Sequence, residues 1–306
     1  MKSNSNVILF QPIVDIGKSL RIQKSPTGIQ AVAAYLKSKN YNVKMIHDIV
    51  NDATISKVIK SNPTHIGVSA MTANFHKAKE FAYLIKKHLP DAIITLGGWH
   101  VSGCAKSFSE NYEKETMIEI LNKESPFDYI IIGEGEISYF ELVNRLDKNL
   151  PVNDIPGIGY LSDEKIIINP SERIEDLDSL PIPIWDGLDI NKYKDLRTGF
   201  MDLSIHVQRG CRFNCSYCAT PNLCPGEPRR LSVKKTIEYL KYIVENFKPT
   251  IITFTDEDFL SNLEWLEELC DKIISSGLNK ITKYDTFASL YDIIVADQKG
   301  LLKKMK

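Results

Sequence analysis

The chain has 306 residues, of which 43% are hydrophobic and 25% are charged, and its formal net charge is -1. This composition excludes general disorder and collagen-like or coiled-coil architectures, and the balanced charge does not call for a nucleic-acid or membrane-surface partner. No apolar run approaches the roughly 20 residues that span a bilayer, and the N-terminus lacks the apolar region and cleavage site of a signal peptide. We therefore expect a cytoplasmic protein of about two domains.

Short apolar runs rich in Val and Ile alternate with helical stretches in the first half of the chain. The runs cover residues 7–10, 43–46, 65–69, 92–96 and 129–132. Residues 26–39 and 73–88 each place apolar side chains on one stripe, as amphipathic helices do. Strands this short and apolar are typical of a parallel sheet that is buried on both faces. The sequence thus predicts a doubly wound α/β domain over residues 1–150.

Three of the predicted strands end in small or polar residues, in the stretches 69–72, 97–102 and 133–136. Ligands of doubly wound sheets bind at the carboxyl ends of the strands, where glycine lets a ligand approach the backbone closely. We therefore expect a cofactor crevice at this edge, although glycines after strands also simply form tight turns. His100 is either a ligand or a hydrogen-bonding loop residue. The absence of a GxGxxG loop after the first strand argues against a dinucleotide.

Residues 151–200 differ in character from the first half, because they contain five prolines. The segments 157–161 and 165–169 flank a polar turn and predict a small hairpin. The remaining stretch reads as an ordered connector, so we place a Pro-rich linker over residues 151–200 and a second domain over residues 201–306.

Three cysteines follow a predicted strand over residues 203–208, namely Cys211, Cys215 and Cys218 in a CxxxCxxC pattern. Cysteines in such a protein are typically metal ligands or core residues, and three thiols in one loop fit a single soft-metal site. Iron–sulfur cubanes ordinarily take four thiolates, so three would leave one iron open. The alternative is a zinc site with Cys224 as fourth ligand. Cys104 and Cys270 read as packed thiols.

The cysteine pattern, with Tyr217 just before the last cysteine, resembles the radical S-adenosylmethionine (radical SAM) family. The stretches 26–28, 97–100, 133–136, 177–183 and 253–259 resemble the branch that carries an N-terminal cobalamin-binding domain. The match extends over nearly the whole chain. The resemblance implies a doubly wound, Rossmann-like cobalamin-binding sheet followed by a radical SAM (β/α) barrel.

The resemblance also implies three cofactors and their positions. Cys211, Cys215 and Cys218 would hold a 4Fe-4S cluster whose open iron chelates S-adenosylmethionine, which is cleaved to a 5′-deoxyadenosyl radical. Tyr217, Asp256 and Glu257 would lie near S-adenosylmethionine, as would Asp258 at the same strand end. An exposed acidic strand end is the alternative for each of these three carboxylates. The residues that would line the cobalamin crevice are Ser69, Thr72, Gly97, Gly98, Gly133 and Glu134, with His100 as a further candidate. The sequence has no DxHxxG motif, so we expect base-off cobalamin.

Only three strand–helix units follow residue 200, with predicted strands over residues 203–208, 251–255 and 281–288, whereas the barrel of this family uses six. We therefore expect an incomplete barrel that is either truncated or completed by a second chain. The expected activity is that of a cobalamin-dependent radical SAM enzyme, a methyltransferase, acting on a small-molecule or peptide substrate with an external electron donor. A fragment that binds cofactors without turnover and a zinc-stabilised interaction module are the alternatives.

Overall fold

The computed structural model describes residues 5–13, 23–110, 114–195 and 197–306. The chain forms two compact units, and neither is one continuous stretch. The first unit contains residues 1–18, 28–174 and 181–188, and the second contains residues 19–27, 175–180 and 189–306. Within the described residues, no helix is both long enough and apolar enough to cross a membrane.

The first unit is built on a seven-stranded sheet with the strand order β2-β1-β3-β4-β5-β6-β7. Its strands are β1 (Asn6–Pro12), β2 (Asn42–Asp48), β3 (His65–Ser69), β4 (Ile93–Gly97), β5 (Tyr129–Ile131), β6 (Ile158–Ser162) and β7 (Lys165–Ile168). The first five strands pair in parallel, and the order reverses between β1 and β3. This is the doubly wound α/β topology that the sequence predicts, with a topological switch point beside β3.

Helices cover both faces of this sheet, because alternate strand residues point to opposite sides. The helices are α1 (Thr27–Ser38), α2 (Asp52–Ser61), α3 (Phe75–His88), α4 (Trp99–Ser109), α5 (Lys114–Ile120) and α6 (Gly135–Asp147). Val7 and Leu9 pack with α1 and α6 on one face. Ile8 and Phe10 pack with α2, α3, α4 and α5 on the other face, where the Phe10 and Phe81 rings stack with centroids 3.8 Å apart.

The hairpin formed by β6 and β7 pairs antiparallel with β5. Asp163 and Glu164 form its turn with φ values of 45° and 66°, the positive values that a tight two-residue turn between twisted strands requires. The linker that we predicted over residues 151–200 therefore includes a hairpin that extends the sheet of the first unit. The sequence predicts the hairpin but not its pairing with β5, because this pairing depends on tertiary position, which the local turn pattern does not encode.

The second unit contains a three-stranded parallel sheet with the order β12-β11-β8, as expected for successive strand–helix units. The strands of this unit are β8 (Asp202–Ile205), β9 (Gln208–Arg209), β10 (Arg229–Arg230), β11 (Ile251–Phe254) and β12 (Lys283–Thr286). Its helices are α7 (Thr220–Leu223), α8 (Val233–Phe247), α9 (Leu263–Ser275), α10 (Leu290–Gln298) and α11 (Leu301–Met305). Apolar side chains of α8 and α9 are buried at helical spacing, among them Leu240, Ile243, Leu266 and Leu269.

The first strand of this unit is shorter than predicted. β8 ends at Ile205, and residues 208–209 form the separate strand β9, which pairs antiparallel with β10. The break occurs because the backbone N–H groups of Val207 and Gln208 donate to the carboxylate of Asp256.

Candidate cofactor sites

The carboxyl ends of β3 and β4 are joined by backbone hydrogen bonds in the first unit. The N–H of Ala70 donates to the carbonyl of Gly97 (3.0 Å), and the N–H of His100 donates to the carbonyl of Ala70 (3.1 Å). Gly98 has a φ of +98°, and a Cβ at this position would lie 2.6 Å from the carbonyl oxygen of Ala70. Glycine is therefore required for the close approach of these two strand ends.

Ser102 extends this connection to β5. Its hydroxyl donates to the carbonyl of Gly98 (3.0 Å) and accepts the N–H of Gly133 (3.0 Å). The structure thus brings Ser69, Gly97, Gly98 and Gly133 to one edge of the sheet, at the ends of three neighbouring strands. Ser102 lies within a stretch that the sequence marks as polar, but its part in joining the strand ends depends on a residue 31 positions away.

His100 is held by its own neighbours at the same edge. Its Nδ1 lies 3.2 Å from the hydroxyl of Thr72, its Nε2 lies 3.7 Å from the Sγ of Cys104, and its ring lies against Phe75 with centroids 4.1 Å apart. Burial lowers the pKa of His100, which favours the neutral imidazole. Both ring nitrogens therefore have side-chain partners. This is the arrangement expected if His100 is a hydrogen-bonding residue and not a ligand.

Glu134 and Gly133 lie beneath a later segment of the first unit. The carboxylate of Glu134 accepts the N–H of Ile174 (3.0 Å). A Cβ on Gly133, which has a φ of +75°, would lie 3.1 Å from the Cβ of Ser171. The segment that follows the β6–β7 hairpin therefore covers this strand end, a contact that the local sequence does not predict.

The three cysteines follow β9 in the second unit, and we call residues 211–218 the cysteine loop. All three are free thiols, with Cys215 exposed and the other two partly exposed. The N–H of Cys218 donates to the carbonyl of Cys215 (3.0 Å), which turns the loop back between these cysteines. Burial raises the pKa of the Cys211 thiol. Three soft thiol donors in one loop have the chemistry that an iron–sulfur cluster requires.

The thiols are not gathered around one point. In the parts of the chain that the structure describes, no three Cys, His, Asp or Glu side chains are arranged as a ready metal site. Gly210, with a φ of +86°, packs against Cys224: a Cβ on Gly210 would lie 3.3 Å from the carbonyl oxygen of Cys224. Tyr217 is 91% exposed, and the neighbouring Cys215 raises the pKa of its hydroxyl.

The acidic segment after β11 is mostly buried. Asp256 and Asp258 are 0% and 1% exposed, which contradicts the alternative of an exposed acidic strand end for these two residues. Burial raises the pKa of Asp256 to about 6. Buried carboxylate oxygens of Asp256 and Glu257 have no hydrogen-bond partner in the structure. Unsatisfied buried oxygens are costly, so this segment fits a polar or cationic ligand.

Arg212 lies within the cysteine loop and ties it to α10. Its guanidinium pairs with the carboxylate of Asp292, and its Nε lies 3.9 Å from the Oδ2 of Asp258. Asp292 is buried and also accepts the hydroxyl of Ser289 (2.5 Å). Three segments of the second unit therefore meet at Arg212. The sequence motif does not reveal this ion pair, because its partner lies 80 residues further on.

Comparison with known protein families identifies the first unit. The family described as "B12 binding domain" matches residues 15–143, which include strands β2 to β5 and the strand ends described above. This match agrees with the cobalamin-binding domain that the sequence resemblance implies.

Comparison with individual proteins extends the similarity to the second unit. An uncharacterized methyltransferase from Pyrococcus horikoshii is 28% identical over 83% of this chain and 53% of its own length. An anaerobic magnesium-protoporphyrin IX monomethyl ester cyclase from Rubrivivax gelatinosus is 26% identical over 85% of this chain and 46% of its own length. The chain therefore spans about half the length of these two curated relatives.

Two solved structures share the fold. The cobalamin-dependent S-adenosylmethionine radical enzyme OxsB with aqua-cobalamin bound has a TM-score of 0.71 at 23% identity, over 88% of this chain and 37% of that chain. The radical S-adenosylmethionine methyltransferase TsrM from Kitasatospora setae, with cobalamin and a [4Fe-4S] cluster bound, has a TM-score of 0.66 at 15% identity. This match covers 89% of this chain and 52% of that chain. The shared fold, together with the B12-binding match and the relatives above, confirms the predicted resemblance to radical SAM proteins with a cobalamin-binding domain.

Proposed function

We propose that this chain provides the cofactor-binding part of a cobalamin-dependent radical SAM enzyme, a methyltransferase. The observation that carries the proposal is the presence, in one chain, of a B12-binding match and of three free cysteines in the loop after β9. Relatives named as methyltransferases support methyl transfer, and relatives named as cyclases show that similar chains also serve other reactions.

The sheet edge of the first unit is the proposed cobalamin surface. Ser69, Gly97 and Gly98 would offer backbone and hydroxyl contacts at the ends of β3 and β4, because ligands of doubly wound sheets bind at the carboxyl ends of the strands. Thr72 and His100 would border this surface as a hydrogen-bonded pair. Gly133 and Glu134 would contribute at its margin, since part of their surface contacts the segment around Ser171 and Ile174.

The cysteine loop is the proposed cluster site. Cys211, Cys215 and Cys218 would each supply one thiolate, and Tyr217 would border the loop with its exposed ring. Burial raises the pKa of the Cys211 thiol, so its ionisation would accompany iron binding. Glu257 and Asp256 follow the adjacent strand β11, where carboxylates would favour the ammonium group of S-adenosylmethionine.

The bound cofactors would supply one-electron cleavage of S-adenosylmethionine and a transferable methyl group. The chain itself would hold the loop that carries the thiolates directly after β9. A neutral His100 would avoid placing a positive charge at the cobalamin surface.

The test is the content of iron, cobalt and zinc per chain after anaerobic reconstitution with iron, sulfide and hydroxocobalamin, with zinc also present. We expect about four irons, as one cubane requires, and one cobalt. Iron without cobalt would refute the cobalamin surface, and cobalt without iron would refute the cluster site. Zinc in place of both would identify the zinc-stabilised module.

Cysteine variants provide the matched control. Cys211→Ala, Cys215→Ala or Cys218→Ala should abolish iron binding, whereas Cys224→Ala should leave it nearly unchanged. Cys224 is the right control because it packs beside Gly210, next to the loop, without belonging to the CxxxCxxC pattern. Loss of iron in Cys224→Ala as well would point to a four-cysteine site.

The partners of the proposed enzyme follow from its chemistry. A small-molecule substrate fits the similar enzymes. The external electron donor and a second chain that completes the barrel remain predictions.

A further inference from the structure

Gln208 is a buried side chain that connects three segments beside the cysteine loop. It is 2% exposed. Its Nε2 donates to the carbonyl oxygens of Gly210 (3.3 Å) and Asp258 (3.1 Å). Its Oε1 accepts from the Nη2 of Arg230 (2.6 Å) and the hydroxyl of Ser261 (3.3 Å). One amide thus joins the start of the cysteine loop to the acidic segment, to β10 and to the turn before α9.

The carboxylate of Asp256 binds the backbone of Gln208 and of Val207. Its Oδ1 accepts the N–H of Gln208 (2.6 Å) and the N–H of Val207 (2.8 Å). These bonds end the ladder between β8 and β11 and turn the chain towards Gly210. The bonds need an acceptor oxygen at this position, and a neutral amide oxygen accepts N–H groups as a carboxylate does.

We propose that Gln208 and Asp256 are positioning residues that fix the start of the cysteine loop before the cluster forms. This inference rests on the proposed function, because it concerns the loop that would hold the cluster. A loop whose start is already fixed loses less conformational entropy when its thiols gather around iron. The inference gives Asp256 a role that depends on its acceptor oxygen, whereas direct contact with the ammonium of S-adenosylmethionine would depend on its negative charge.

Two readouts test the inference on the full chain. Hydrogen–deuterium exchange of residues 207–211 in the metal-free protein reports the order of the loop, and iron retained after reconstitution reports cluster binding. Gln208→Met keeps the size of the side chain but removes all of its hydrogen bonds. This variant and Asp256→Ala should each speed the exchange about tenfold or more, since buried partners lose their bonds. Both should also retain less iron than the wild type.

Asp256→Asn separates the two roles of this residue. Because it retains the acceptor oxygen, we expect its exchange and its iron content to stay near those of the wild type. Thr236→Val is the matched folding control: Thr236 is fully buried in α8 and donates to the carbonyl of Ser232 (3.0 Å). It removes one buried hydrogen bond of the same unit and should not change the exchange of residues 207–211.

The possible results distinguish the inference from the proposed function. Wild-type exchange and iron content in Gln208→Met, or an Asp256→Asn variant as impaired as Asp256→Ala, would overturn the inference. If Gln208→Met does not fold, Gln208→Glu removes both N–H donors while keeping size and acceptor, and the same exchange result is required of it. A wild-type chain that binds no iron would refute the proposed function, yet the exchange comparison would still decide whether these residues order the loop.

Discussion

Replacement of Gly98 by alanine tests whether the close approach of β3 and β4 shapes the proposed cobalamin surface. A Cβ on Gly98 would lie 2.6 Å from the carbonyl oxygen and 2.9 Å from the nitrogen of Ala70, and backbone atoms cannot rotate away. Gly98 has a φ of 98° and a ψ of -176°, a conformation that costs a non-glycine residue about 1–3 kcal/mol, and overpacking costs about 1–3 kcal/mol. We therefore expect Gly98→Ala to lower the free energy of unfolding of the first unit by about 2–6 kcal/mol.

Gly103→Ala is the matched control for this substitution. Gly103 lies in α4, the helix that Gly98 caps, and a Cβ there would meet nothing within 4 Å. Alanine in a helix should stabilise the unit by about 0.5–1 kcal/mol. The assays are urea unfolding followed by circular dichroism and cobalamin titration followed by absorbance. We expect weaker cobalamin binding in Gly98→Ala alone. Equal stability of the two variants would refute the close-approach argument.

Three further predictions concern single side chains. Burial raises the pKa of Asp256 from 3.8 to about 6. Between these two pH values the folded state keeps a proton that the unfolded state releases. The free energy of unfolding should therefore fall as the pH rises from 3.8 to about 6. Asp256→Asn should flatten that dependence in urea unfolding, and an unchanged slope would contradict it. Arg212→Met removes the cation that pairs with the buried Asp292 carboxylate, and it should lower the free energy of unfolding by about 3 kcal/mol in the same assay. Arg197 lies beside Asp195 on the surface, so the control variant Arg197→Met should change this free energy little. Ser102→Ala should cost about 1–2 kcal/mol and weaken cobalamin binding, and wild-type binding would show that the bridge to Gly133 is dispensable.

The sequence predicts the elements whose evidence is local. The run over residues 7–10 identifies β1, because four consecutive apolar residues are buried on both faces of the sheet. The strand continues to residues 6 and 11–12, where polar side chains and Pro12 hide it from a hydrophobicity pattern. Backbone pairing with β2 determines these ends, and pairing does not require apolar side chains.

Features set by distant residues could not be predicted in this way. The predicted strand over residues 203–208 breaks in two because Asp256, almost 50 positions later, takes two of its N–H groups. The same carboxylate is an expected cofactor contact on the basis of the resemblance, and the fold buries it completely. By contrast, the cysteine motif could be recognised directly, since its three thiol donors lie within eight residues.

The division of the second unit among three stretches of chain has a consequence for its folding. Ser25 accepts the N–H of Ser204 through its hydroxyl (2.8 Å), and Lys24 pairs with Asp202, so β8 is supported from the far end of the sequence. Asp178 accepts the N–H of Ser232 (2.8 Å) from the second stretch. A fragment that begins at residue 201 would lack both supports. During synthesis, almost 180 further residues must therefore be added after residues 23–27 before the partners of these residues can leave the ribosome.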